Sequence, residues 1–195
     1  MVVMNRQFTE IGDGVSCKAI DNRVSMYVMI KAMQEASSFG FETYAVATVQ
    51  EEVGLRGATT SAFDISPDVG VALDTTLAVD IPGVPDHEKV TDLGGGAAIK
   101  IQDSSFISHP GLVACFKDLA KKRKIKHQME ILPRGGTDAG GIQRIRGGVP
   151  AITLSIPSRY VHTSIELVHR KDVEAAVKLM TAFIEEGDKA DLQLV

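Results

Sequence analysis

The chain has 195 residues, 44% hydrophobic and 24% charged, which is average for one globular domain with a core of its own. A formal net charge of -4, with Lys121-Lys122-Arg123-Lys124 as the one basic cluster, argues against a nucleic-acid binder. No stretch approaches the ~20 apolar residues of a membrane span, the opening residues lack a signal-peptide core, and Cys17 and Cys115 read as small buried residues of a reducing compartment. A cytoplasmic protein without nucleic-acid or membrane partners is expected.

Residues 1–8 open on an apolar run that predicts a strand. Asp13-Gly14 makes a turn, and Val15 to Ile20 carries an extended chain to Asp21-Asn22-Arg23. Val24, Tyr27, Val28 and Ile30 then recur at helical spacing, which points those four at a core and leaves Gly40 as the C-cap. Residues 43–49 are short, β-branched or aromatic, as a buried strand requires, and stop at Glu51-Glu52 and the turn Gly54 to Gly57. A short helix at 58–63 precedes a buried strand at 69–73 that ends on Asp74, followed by a Pro- and Gly-rich connection to Gly96.

Residues 97–102 predict a further strand, and Pro110 suits the first turn of a helix over 111–124, whose last turn holds the basic cluster against the helix dipole. A strand at 128–132 runs into Gly135-Gly136-Thr137-Asp138, where a helix begins; a buried strand at 150–156 ends in a loop reaching His162; and an amphipathic helix spans 170–186. Residues 188–195 read as a polar, loose tail. This alternation, without repeat or linker, predicts a single α/β domain over 1–195 with a mainly parallel sheet and helices on both faces.

In such folds ligands bind beyond the carboxyl ends of the strands. Three apolar segments end there on an acid or an imidazole: Glu51 and Glu52, Asp74, and His162, while Asp21 sits where an extended run turns into a helix. Parallel neighbours are ~4.8 Å apart, so these side chains converge on one rim as a donor set for zinc, cobalt or manganese. Two ions would need a carboxylate bridging them and further ligands on each side. Of two adjacent acids, one can hold metal while the other moves a proton. Structural readings stand beside these: Asp21 as a helix cap, Asp74 as a turn acid, His162 as a loop histidine, and Thr137 or Asp138 as an N-cap. His87 and His109 read as loop residues.

Five motifs in order resemble the catalytic domain of the tetrahedral and glutamyl aminopeptidases, whose relatives also carry cellulase or endoglucanase labels. They are Lys18-Ala19-Ile20-Asp21-Asn22-Arg23, Gln50-Glu51-Glu52-Val53-Gly54-Leu55-Arg56-Gly57, Ala72-Leu73-Asp74, Gly135-Gly136-Thr137-Asp138-Ala139 and Ile156-Pro157-Ser158-Arg159-Tyr160-Val161-His162-Thr163. The resemblance implies a phosphorylase/hydrolase-like α/β/α sandwich acting on peptides with up to two divalent ions, zinc or cobalt. It makes Asp21 the carboxylate shared by both ions, Glu52 and His162 ligands of one, Asp74 a ligand of the other, and Glu51 the general base and acid.

The chain departs from the family's pattern in two ways. No histidine precedes Asp21, and no His-x-Asp occurs; His169 and Asp172 come nearest, one residue out of step. The inserted dimerisation domain is missing too. The chain therefore reads as the C-terminal catalytic portion, with one ion keeping Asp21, Glu52 and His162 and the other only Asp21 and Asp74. Three functions follow: an aminopeptidase domain, a metal-binding remnant completed by a chain that supplies the missing segment, and a glycan hydrolase, which leaves Asp74 and His162 unexplained. Self-association through an apolar edge at residues 1–8 is also expected.

Overall fold

Every residue from Ala151 to Ser158 is buried, and in the computed structural model this run forms the strand on which one sheet is centred. The structure describes residues 4–193. In chain order the elements are β1 (Thr9–Ile11), β2 (Gly14–Cys17), α1 (Ile20–Glu35), α2 (Arg56–Ile65), β3 (Gly70–Leu77), β4 (Ala97–Gln102), α3 (Pro110–Lys122), β5 (His127–Ile131), α4 (Asp138–Gln143), β6 (Ala151–Arg159), β7 (Glu166–His169) and α5 (Arg170–Glu186).

β3 runs parallel to β6 along its whole length, with Asp74 opposite Ser155. Ser155 also faces Ala98, so β4 lies on the other edge of β6, and β5 continues outward in parallel from β4. The far end of β6 pairs with β7, which leads through β2 to β1.

Alternation along β6 divides the core into two layers. Ile152, Leu154 and Ile156 face Val28 of α1, Leu112 and Phe116 of α3, and Leu179 and Phe183 of α5. On the opposite face Ala151 packs with Ala72, Phe106 and Ala139 at the start of α4, and Ala62 of α2 packs with Ile142 of α4 and with Ile145 just beyond it. Burying each large aliphatic side chain of the first set stabilises the fold by about 1.5–3 kcal/mol. The result is three layers, helices on both faces of a sheet. At one corner Arg123, just beyond α3, pairs with Glu185 at 2.6 Å and with Glu186 at 2.7 Å, both in α5.

Several elements differ from the sequence reading. The sheet is mixed, not mainly parallel, because only the β3–β6 and β4–β5 pairs are parallel. Part of the reason is β7, which the sequence reading did not contain. Residues 160–165 are too few for the crossover of about a dozen residues that parallel strands need, so the chain doubles back. β3 continues through Asp74 to Leu77, so Asp74 lies inside a strand and the turn-acid reading falls.

The predicted strand at 43–49 does not form. Among the described residues none of the backbone groups from 42 to 48 takes part in a backbone–backbone hydrogen bond, and Tyr44 and Val49 are 59% and 67% exposed. Of the strand predicted at residues 1–8, Met4 to Phe8 form none, and residues 1–3 lie outside the described part. α1 buries Ser25, Val28 and Ala32 but leaves Tyr27 and Ile30 exposed, and it ends at Ala36, with Gly40 instead donating its N–H to the Ile184 carbonyl at 3.0 Å. Past α5, Ala190 and Leu192 lie against the main core.

β3 is paired on one edge only among the described residues. Such an edge offers backbone N–H and C=O groups to a further strand.

Candidate metal centre

Three loops set the site, and each owes its shape to backbone that leaves the regular elements. Ala19 turns into the left-handed region at φ 53, and Asp21 stays extended at φ -72 and ψ 107 inside the kinked start of α1. Gln50 and Leu55, at φ 59 and 56, bracket the Glu51-Glu52 turn, which the Leu55 N–H closes onto the Glu51 carbonyl at 2.9 Å. Gly57 is required there, since a Cβ would stand 2.4 Å from the Val49 carbonyl oxygen. After β6 the chain turns over Tyr160 and His162, at φ 59 and 64. Non-glycine residues in this region cost of order 1–3 kcal/mol each and collect at functional sites.

These loops bring Asp21, Glu52 and His162 together. His162 Nε2 lies 3.2 Å from Asp21 Oδ2 and 3.4 Å from Glu52 Oε1. One ligand atom from each residue lies within 4.8 Å of the others. The Asp21 side chain is largely buried, while those of Glu52 and His162 are open to solvent.

The donor set and its spacing fit a metal ion. Oxygen and nitrogen ligands held tetrahedrally at ~2.0–2.2 Å sit roughly 3.3–3.6 Å apart, close to the separations here. Two carboxylates and an imidazole suit zinc, cobalt or manganese alike.

Asp74 stands outside that group. Its Oδ1 accepts hydrogen bonds of 2.8 Å from Asn22 Nδ2 and from the Thr75 N–H. Asn22 follows Asp21 directly, which ties the two acids together through one turn of chain. Burial, and then the charges of Glu51 and Asp21, push the Asp74 carboxyl well above its ordinary range. Beneath it, fully buried Lys100 and Glu130 form an ion pair, and Thr76 donates to the same Glu130 oxygen.

Glu51 is not one of the three clustered ligands yet shares their field. Burial, followed by Asp138, Glu52 and Asp21, raises its carboxyl to about 7. Burial, then Glu52 and Glu166, raises Asp21 as well. Mutual repulsion among this many acids is relieved by a cation.

Three residues stand out that the sequence reading had placed elsewhere or overlooked. Thr137 occupies the N-cap position of α4 without capping it, because its hydroxyl bonds to Asp103 Oδ2 at 2.9 Å and lies 2.7 Å from the Thr153 hydroxyl. Asp138 faces the turn: Thr48 donates to its Oδ2 at 2.6 Å, and its Oδ1 is buried without a partner. Glu166, overlooked from sequence, accepts from the backbones of both Asp21 and His162. The signal for it was an acid opening an otherwise apolar strand, where an acid belongs only if it has work with hydrogen-bond donors. His109 caps α3, taking the Gly111 N–H on Nδ1 at 3.2 Å, and His87 is exposed, so neither belongs to the site.

With this geometry in place, the likeness to known proteins is consistent. The lysyl aminopeptidase of Pyrococcus furiosus is 40% identical over 169 residues, covering 86% of this chain and 47% of that protein. An aminopeptidase structure from the archaeon Desulfurococcus kamchatkensis superposes with a TM-score of 0.91 at 45% identity, covering 93% of this chain and 52% of that one. The TET1 peptidase of Pyrococcus horikoshii, which can assemble into a tetrahedron or a large octahedral shell, gives a TM-score of 0.77 at 30% identity, over 94% of this chain and 54% of that one. The chain thus spans about half the length of the relatives it matches. The model of the M42 glutamyl aminopeptidases matches residues 1–179, and the chain belongs to that family.

Proposed function

We propose that this chain is the metal-binding catalytic part of an aminopeptidase that removes residues from the amino terminus of peptides. The observation that carries the reading is the convergence of Asp21, Glu52 and His162 from three separate loops, with Glu51 beside them raised to about 7. Asp21, Glu52 and His162 hold one ion, zinc or cobalt, and Asp21 and Asp74 contribute to a second. A divalent metal at these residues supplies Lewis-acid polarisation of the scissile carbonyl and brings an attacking water toward ionisation at neutral pH. Glu51, adjacent to a ligand without being one, takes the proton of that water and passes it to the leaving amine. A base with a value near the working pH is best matched to both transfers.

The Asp74 side is the weaker half. Asp21 and Asp74 are two ligands, too few to hold an ion firmly against water. Among the described residues β3, which carries Asp74, has an open edge, and residues 42–48 run without backbone pairing. This favours a second component of the reading: a further segment, in the same protein or in a partner chain, adds a strand here and brings a ligand beside Asp74. The assembling TET1 relative supports a homo-oligomer as the complete enzyme.

Metal analysis of the purified chain, paired with a panel of aminoacyl reporter substrates, tests both parts. One tightly held ion per chain is expected, with turnover appearing or rising steeply when the remaining half of the relatives' length is supplied. A chain that takes up no divalent metal at near-neutral pH overturns the reading.

A further inference from the structure

Glu166 opens β7 opposite Cys17 of β2 and is 2% exposed. Its two carboxylate oxygens are divided between two loops. Oε2 accepts the Asp21 N–H at 2.9 Å, and Oε1 accepts the His162 N–H at 2.9 Å. Neither donor is taken up by regular structure. Asp21 is extended at the kinked start of α1, and His162 is left-handed, so both N–H groups point where no helix or ladder carbonyl receives them.

A carboxylate is a costly choice for that position. It is buried, and its charge lies close enough to Asp21 to raise that carboxyl. A buried charge among like charges lowers stability unless the hydrogen bonds it makes compensate. An aliphatic side chain would continue the strand without that cost, but it would leave two loop N–H groups unanswered. An amide would answer one of them and turn its own NH₂ toward the other. Only a carboxylate receives both donors at once.

We propose that Glu166 is the positioning residue of the metal centre: its carboxylate clamps together the backbones that carry Asp21 and His162, so that their side chains converge before an ion arrives. The proposal rests on the metal reading given above and adds to it the device that preorganises the ligands. Outer partners of this kind fix ligand orientation, and their loss weakens metal affinity while leaving the ligands themselves in the chain.

The test compares the wild-type chain with Glu166→Gln and Glu166→Asp. Zinc affinity is measured by calorimetric titration, and exchange of the Asp21 and His162 amides in the metal-free proteins by NMR. Glu166→Gln is expected to bind zinc about 10–100-fold more weakly, with faster exchange at one or both amides. Glu166→Asp, which keeps two acceptors on a shorter arm, is expected to fall between it and the wild type, and it carries the test if Glu166→Gln does not fold. Leu179→Ala, in the core away from the site, serves as a destabilised control whose zinc affinity should stay at the wild-type value. Wild-type zinc affinity in Glu166→Gln overturns the proposal alone, as does an equal loss in the Leu179→Ala control. A wild-type chain that binds no zinc overturns the metal reading beneath it, and that result is seen before any variant is made.

Discussion

β3 and the segment at 43–49 carry much the same kind of sequence, and they meet opposite fates. Gly70-Val71-Ala72-Leu73 runs parallel to β6 along its length, while Tyr44-Ala45-Val46-Ala47 lies extended with no partner among the described residues. Small and β-branched side chains make a backbone willing to extend, but the hydrogen bonds of a strand are supplied by its neighbour. β6 is present to serve β3. What would serve residues 43–49 is not among the described elements. The metal centre shows the same asymmetry: Asp21, Glu52 and His162 assemble from loops of this chain, whereas Asp74 lies in β3, which is paired on one edge only among the described residues.

The sharpest way to probe the assembled half is Glu51→Gln, made with the remaining half of the relatives' length supplied. Loss of the proton acceptor should lower kcat/KM about 10²–10⁴-fold, or roughly 3–5 kcal/mol of barrier, while metal content stays at the wild-type value. Retention of most turnover would return Glu51 to a solvated turn residue. Next comes His162→Ala, which removes a ligand directly. Its loss of zinc affinity should exceed the about 10–100-fold typical of outer-shell partners, whereas Asp74→Asn should leave the tight site nearly untouched. Equal losses from the two substitutions would show the halves to be one site.

The two apolar segments can be set against each other by stability. Leu154→Ala in β6 should cost about 2–5 kcal/mol in urea unfolding, since Leu154 is fully buried. Val46→Ser should stay within about 0.5 kcal/mol in the chain alone, as an exposed substitution does. Once a partner segment is added, Val46→Ser should become the more damaging of its two measurements. A large effect of Val46→Ser in the chain alone would mean that residues 43–49 are already covered.

The smallest effect expected is on pH. In the metal-free chain the Glu51 carboxyl is raised from 4.5 to about 7, chiefly by burial. A carboxyl raised on folding favours the native state while it stays protonated, so its contribution is fully present below about 4.5 and is lost as pH rises through about 7. Metal-free Glu51→Gln should therefore melt above the wild type at pH 8 and level with it at pH 4. Zinc should reverse the trend at pH 8 for the wild type. Identical melting at both pH values would place Glu51 in open solvent.

The sequence by itself determined a good deal. Helical period and a polar start located α5 at 170–186, as the structure has it, and Pro110 marked the start of α3. Five short motifs pointed to the family and to Asp21, Glu52 and His162 as residues that should meet, because loop chemistry of that kind is written locally in acids, glycines and turns. The tertiary structure decided the rest. It turned back β7 and made the sheet mixed, placed Asp74 inside a strand, left residues 42–48 without backbone pairing among the described residues, and set Asp138 close enough to Glu51 to raise its carboxyl. It also gave Glu166 its two donors from loops at opposite ends of the chain. Each of these depends on which segment lies next to which, and a pairing between distant segments leaves no mark in the periodicity or propensity of either one.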